Sequence, residues 1–285
     1  MKYVVFLDIL GFKNMIDALN QVDAEQFIKR FSKTVYEIFN DRNFELLSKI
    51  NGYIVSDSII LYTNNTKKES LIDLLNLTLK ICRTEFVENG VLIRGGIAKG
   101  EFSKLKVTEI DQLGKTLIIG QAYVNAYQLE SSTKVIGVNL SEAVYNDILK
   151  YDIKLDNKEN NDFNTKAYIT KYKDKKAIYY LLKYIDLNFL LEANNLRQFV
   201  IFANKSKWLQ YYYNALYFAI QNEQSDTKKE ELFIKIEALI TKDNLNTDWR
   251  MLNLFIENAF SDGVIKNFKD IFLKHIRNQL LSNRK

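Results

Sequence analysis

The residues at 3–9, YVVFLDI, are apolar except for Asp8, and polar and glycine residues follow them. Such a run predicts a buried strand. Residues 22–40 follow a helical period, with Phe27, Phe31, Val35 and Ile38 on one stripe. Two apolar runs within 46–62, LLSKINGYIV and IILY, flank Ser56-Asp57-Ser58 and predict a hairpin with the acid at its tip. Residues 69–88 are helical, with Leu71, Leu74, Leu75, Thr78 and Ile81 turned to the core. Strands are predicted at 91–98 and 116–119, and Gly120 opens a helix over 121–131. A strand at 134–138 and a helix at 141–149 follow. A last strand pair, 165–172 and 176–184, turns at Lys173-Asp174-Lys175 after an Asn- and Asp-rich loop at 156–164. The order is βαββαβ with additions. That is an α+β, ferredoxin-like plan: an antiparallel sheet with helices on one face.

The pattern changes after Ile185. Residues 187–222, 226–242, 246–260 and 263–281 all read as helices, and aromatic residues recur at helical spacing within 196–220. A core-packing role accounts for them. The expected division is a first domain at 1–186 and a helical region of unknown role at 187–285.

Composition adds little. A net charge of +5, spread along the chain, is weak support for nucleic-acid binding, and a phosphate-cradling face would give the same value. No apolar run approaches the roughly 18 residues that a membrane span needs. The short N-terminal run reads as a strand and not a signal peptide. The single cysteine, Cys82, excludes an internal disulfide and suits a reducing cytosol, so a cytoplasmic location is expected. Proline is absent, whereas proteins carry about 5%, and Lys, Asn and Ile are abundant. This reads as an AT-rich genome's bias.

Asp8 ends an otherwise apolar strand, where a lone charge is costly to bury. It could cap a helix starting near Gly11, or hold a cation. Asp57 could be an ordinary turn aspartate. In a βαββ unit, however, the first strand and the following hairpin are sheet neighbours. Two carboxylates converging at the strand end and the hairpin tip make a hard oxygen site for Mg2+ or Mn2+. Gly11, between the strand and the first long helix, lets backbone approach a ligand.

Four segments extend this reading: FLDILGF at 6–12, YIVSDSIIL at 53–61, IRGGIAKGE at 93–101 and IGQAYVNAYQLE at 119–130. In that order they resemble the class III nucleotidyl cyclases, and YITKYKDKKAIYYLL at 168–182 looks like the closing strands of that domain. The resemblance covers roughly residues 3–186 and is closest to the bacterial Pycsar anti-phage cyclases, which make cyclic UMP or cyclic CMP.

The resemblance implies a site. Asp8 and Asp57 match the two metal-binding aspartates, and Ile9 matches the position whose carbonyl also binds metal. Gly11 and Phe12 match the loop over the triphosphate. Tyr53 stands where purine cyclases usually carry a base-reading lysine, and Leu117 where adenylyl cyclases often carry a second base-reading acid. Both departures point away from ATP. A further departure is on the helix after Ile119-Gly120. The usual Asn and Arg positions are Val124 and Gln128, with Asn125 one place off. Arg94, Lys99, Lys104 and Lys106 are candidate replacements for the missing cation, although the strand pattern gives Arg94 a structural role.

The expected activity is conversion of UTP to 3′,5′-cyclic UMP and pyrophosphate, with two Mn2+ or Mg2+ ions per site, in a homodimer. A separate effector would read the product in anti-phage defence. The alternatives are CTP cyclisation to cyclic CMP, an adenylyl or guanylyl cyclase, and a catalytically dead nucleotide sensor. An RNA binder on the same plan would need the basic, glycine and aromatic RNP1 pattern, which is missing. The only histidine, His275, lies far along the chain from these motifs. There is no CxxC and no GxxxxGK[ST] loop. Nucleic acid and membrane are therefore not expected partners.

Overall fold

The computed structural model describes residues 1–40, 50–89, 91–105, 117–132, 136–153, 168–172 and 175–180. Contacts group Met1–Thr133 and Gly137–Tyr180 into one compact unit. The helices expected over 187–281 lie outside the described residues, as does the division expected near 186. So do the loop at 156–164, and Lys106 and His275.

Strand β1 (Lys2–Ile9) is central. The hairpin strands β2 (Ile50–Val55) and β3 (Ser58–Thr63) flank it on one side, and β4 (Ile93–Gly100) on the other. The sheet continues through β7 (Val138–Leu140), β9 (Lys175–Tyr179) and β8 (Tyr168–Tyr172), giving the order β2-β3-β1-β4-β7-β9-β8. A separate ribbon pairs β5 (Ser103–Leu105) with β6 (Leu117–Ile119). The helices are α1 (Phe12–Ala18), α2 (Gln21–Asn40), α3 (Lys68–Asn89), α4 (Gln121–Ser132) and α5 (Glu142–Lys150).

The mixed α+β character and the βαββαβ order agree with the sequence reading. Three details do not. The sheet is not wholly antiparallel, because β4 and β7 run parallel from Gly95 opposite Val138. The strand expected at 134–138 is instead Val138–Leu140; Ser141 then caps α5, its side chain accepting from the Val144 N–H at 3.3 Å. The helices also do not share one face. Val4 and Phe6 of β1 and Ala98 of β4 cluster with Ala122 and Ala126 of α4. The opposite face meets other helices. There the hydroxyl of buried Tyr3 donates to Asp147 of α5 at 2.7 Å, and Gly52 lies against Phe39 of α2.

Gly96 explains the close approach of α4. A Cβ there would stand 2.2 Å from the Ala126 carbonyl oxygen and 2.7 Å from the Leu129 Cβ. The Asn139 amide donates to the Leu129 carbonyl at 2.8 Å and fixes the C-terminal half of the helix to β7. Next to this contact, β7 falls short of the start of β4. The buried Tyr180 hydroxyl completes the ladder, accepting from the Ile93 N–H at 2.8 Å and donating to the Ile93 carbonyl at 2.5 Å. Buried backbone groups without partners are costly, so this phenol stands in for a missing strand. Among the described residues, no helix is long and apolar enough to cross a membrane.

Candidate active site

Register places the polar residues. Val55 opposes Ser58, Ser58 opposes Asp8, and Asp8 opposes Arg94. Directly opposed residues share a sheet face, so these four form a row across four strands on the α4 side. Ser56 and Asp57 close the hairpin in two residues, with Ser56 in the left-handed region at φ 58°. The Ile9 N–H donates to the Asp57 carbonyl at 3.3 Å and ties the end of β1 to this turn. The Ser58 hydroxyl donates to Asp8 Oδ1 at 3.3 Å.

Asp8 does not cap a helix. The N-cap of α1 is Gly11, at φ 80°, and no side chain bonds to that helix start. Instead, the Arg94 guanidinium donates through Nη2 to Asp8 Oδ2 at 3.2 Å, while its Nε pairs with the Glu130 carboxylate. Glu130 ends the buried stripe of α4, Ala122-Ala126-Glu130. Burial raises the Asp8 carboxyl above the usual carboxylate range. The nearby Asp57 charge adds to that shift and Arg94 opposes it. Burial also raises Glu130, again opposed by Arg94, with Asp8 and Asp57 adding smaller upward pushes. Asp8 and Glu130 therefore share one guanidinium with the Asp57 charge close by, so the described groups here are short of positive charge.

That shortage is what a divalent cation would relieve. Among the described residues, no group of three or more His, Cys, Asp or Glu is arranged to hold a metal ion. Two hard carboxylates fit Mg2+ or Mn2+, which take one or two carboxylates and complete their shell with water and phosphate. They do not fit a closed zinc site, which needs about four protein ligands.

Tyr53 opposes Ile60 on the same face, one pair along from the Asp8 row, or about 6–7 Å by the strand rise. Its ring stacks on Tyr62 with centroids 5.9 Å apart, and the two hydroxyls are 3.4 Å apart. Burial and then the Tyr53 hydroxyl push Tyr62 up to about 12. The Lys104 ammonium, on β5, stands 5.4 Å from the Tyr53 ring centroid. Leu117 is exposed on β6, opposite Leu105.

The other candidate cations separate clearly. Lys99 opposes Tyr3 on the far face of the sheet and pairs with Asp147 at 2.6 Å, so it is not at this site. On α4, Val124 and Gln128 are exposed, and Asn125 is half-buried and accepts from the Gln121 side-chain amide at 2.7 Å. Arg94 is the guanidinium that reaches Asp8. The sequence reading missed Glu130 and Ser58. A glutamate on the buried stripe of a helix was the available signal for the first.

No protein-family model matches this sequence, and none of the curated proteins is similar enough to match. Among solved structures, the chain is similar to the dimeric guanylyl cyclase domain of the RhoGC fusion protein of Blastocladiella emersonii, with 13% identity and a TM-score of 0.46 over 62% of this chain and 91% of that one. It is also similar to the adenylyl cyclase CyaB of P. aeruginosa, at 14% identity and a TM-score of 0.44 over 62% and 91% of the two chains. The guanylate cyclase domain of RhGC from Catenaria anguillulae, solved with GTP, matches at 14% identity and 0.44 over 62% and 92%. These three solved structures are adenylyl and guanylyl cyclase domains. At these scores the likeness does not assign an activity, and the functional reading rests on the site.

Proposed function

We propose that this chain is a nucleotidyl cyclase that closes a nucleoside triphosphate to its 3′,5′-cyclic monophosphate and releases pyrophosphate. The observation that carries the reading is the meeting of Asp8 and Asp57 at the end of β1 and the tip of the β2–β3 turn. Asp8, Asp57 and the Ile9 carbonyl would hold the divalent ions. Bound there, such ions supply charge for the triphosphate and lower the pKa of the ribose 3′-hydroxyl. The 3′-hydroxyl gives its proton to water, its oxygen forms a bond to the α-phosphorus, and the bond from that phosphorus to the pyrophosphate oxygen breaks. The chain's own part is positional. Ser58 orients Asp8, and Gly11 and Phe12 lie after β1 where the triphosphate would pass.

For the base we propose a pyrimidine, and UTP over CTP. Tyr53 offers a ring for stacking and one hydroxyl, and no charged donor for a purine edge. Leu117 leaves that side apolar, where a buried amino group lacking an acceptor would cost about 1–3 kcal/mol. Cytosine carries such an amine and uracil does not. Lys104, beside Tyr53, can donate to a uracil carbonyl.

A homodimer belongs to the proposal. Val55, Leu117, Ile119, Val124 and Tyr127 are exposed apolar residues on the hairpin tip, β6 and α4. A second copy would cover such residues and supply the cation that α4 lacks. A separate effector would then read the cyclic product. The antiviral role rests on the sequence resemblance.

The test is a competition of all four nucleoside triphosphates with Mn2+, with products identified by mass spectrometry. Cyclic UMP as the main product supports the full reading. Cyclic CMP overturns only the choice of base, and cyclic AMP or GMP overturns the pyrimidine assignment. Tight nucleotide binding without product would make the chain a sensor.

A further inference from the structure

We propose that Glu130 is a positioning residue that draws Arg94 partly off Asp8 and so keeps the Asp8 carboxylate available to a divalent cation. This rests on the reading of Asp8 and Asp57 as cation ligands.

A guanidinium presents its donors as a rigid fork that suits carboxylates. Here the fork is divided, with Nη2 on Asp8 at 3.2 Å and Nε on Glu130. Asp8 Oδ2 thus receives the Nη2 end of the cation, Oδ1 receives the Ser58 hydroxyl at 3.3 Å, and the Asp57 carboxyl lies within hydrogen-bonding reach of Asp8. A bidentate clamp would fill the lone pairs a metal ion needs and leave a full positive charge beside it. With Nε held by Glu130, the side-on clamp through Nε and Nη2 is closed to Asp8, and the Glu130 charge offsets the guanidinium. Glu130 is 4% exposed, so its charge acts on Arg94 with little screening.

Its position is built in. The Gly96 contact seats α4 on β4, the Asn139–Leu129 hydrogen bond holds the residue before Glu130, and the Ala122-Ala126-Glu130 stripe aims the carboxylate at the sheet. A glutamate on a face otherwise lined by alanines packs poorly as a hydrophobe. It fits as the counter-charge of Arg94. The role is indirect, because Glu130 acts on the cation only through Arg94.

The test is Mn2+ binding by calorimetry without nucleotide, on the full chain. Glu130→Gln keeps the shape and removes the charge. Arg94 then closes on Asp8, and Mn2+ affinity falls by about tenfold or more, as for residues that orient metal ligands. Glu130→Asp keeps the charge and loses less than Glu130→Gln. In Arg94→Gln/Glu130→Gln, which buries no lone charge, affinity returns to within about threefold of wild type, because the effect is coupled through Arg94. A folded Glu130→Gln protein that binds Mn2+ as wild type does would overturn the proposal. So would a double variant as weak as the single one. If Glu130→Gln fails to fold by circular dichroism, the double variant decides alone, and a tenfold loss there refutes the role. Wild-type protein that binds no more Mn2+ than Asp57→Ala would instead overturn the cation site itself.

Discussion

Asp8 and Arg94 are direct register partners across β1 and β4, and their side chains meet as well, at 3.2 Å. The sheet thus sets a charge pair by backbone pairing alone. Because Asp57 stands on the other side of Asp8, the site carries like charges that Arg94 only partly offsets. This places stability and function in opposition.

Asp57→Asn removes one of the opposed charges without changing shape. The metal-free variant should unfold at the same or a higher temperature than wild type, gaining no more than about 1 kcal/mol at this half-exposed position. Calorimetric melting in a chelator checks it. A clear loss of stability would show that Asp57 is a structural turn residue.

Divalent ions should stabilise the wild-type fold. Binding only to the native state adds about 2.7 kcal/mol at a hundred times the dissociation constant. A rise in melting temperature with Mn2+, reversed by chelator and absent in Asp57→Asn, is the expected result.

Gly96→Ala should cost stability, about 1–3 kcal/mol, through forced overpacking. The added methyl would fall 2.2 Å from the Ala126 carbonyl oxygen, so α4 must shift and take Glu130 with it. Urea unfolding measures the first effect, and weakened Mn2+ binding the second.

Tyr180→Phe should remove about 2 kcal/mol, because it leaves the buried N–H and C=O of Ile93 without their partner. The same unfolding experiment reads it.

Tyr53→Ala tests the base contact. Stacking on an aromatic ring contributes about 1–3 kcal/mol per base, so KM for the preferred triphosphate should rise about tenfold or more while kcat falls less. An unchanged KM would leave Tyr53 as a packing partner of Tyr62.

The sequence was legible where one element carries one strong pattern. β1 showed as an apolar run broken only by Asp8, and the hairpin as two runs around Asp57. The juxtaposition of Asp8 and Asp57 followed from the βαββ order. The α4 helix was harder to place. Its buried stripe is two alanines and a glutamate, so it lacks the large apolar residues that mark a core face. Its seat on the second face depends on Gly96, which a strand pattern does not explain. Arg94 was visible only as a charge within a strand. Its role needed the register that sets it opposite Asp8, and register is a property of pairing between distant segments. β7 was displaced because three residues paired on both sides leave almost no periodic signal.

The central claim is that Asp8 and Asp57 together make a triphosphate-closing site. The most direct measurement is cyclic nucleotide formed from UTP and Mn2+ by wild type, Asp8→Asn and Asp57→Asn, quantified by mass spectrometry at saturating metal. The account predicts cyclic UMP and pyrophosphate in equal amounts from wild type, and a loss of at least about 100-fold in both variants, the size expected when a cation ligand of a transition state is removed. Wild-type rates in either variant would contradict it.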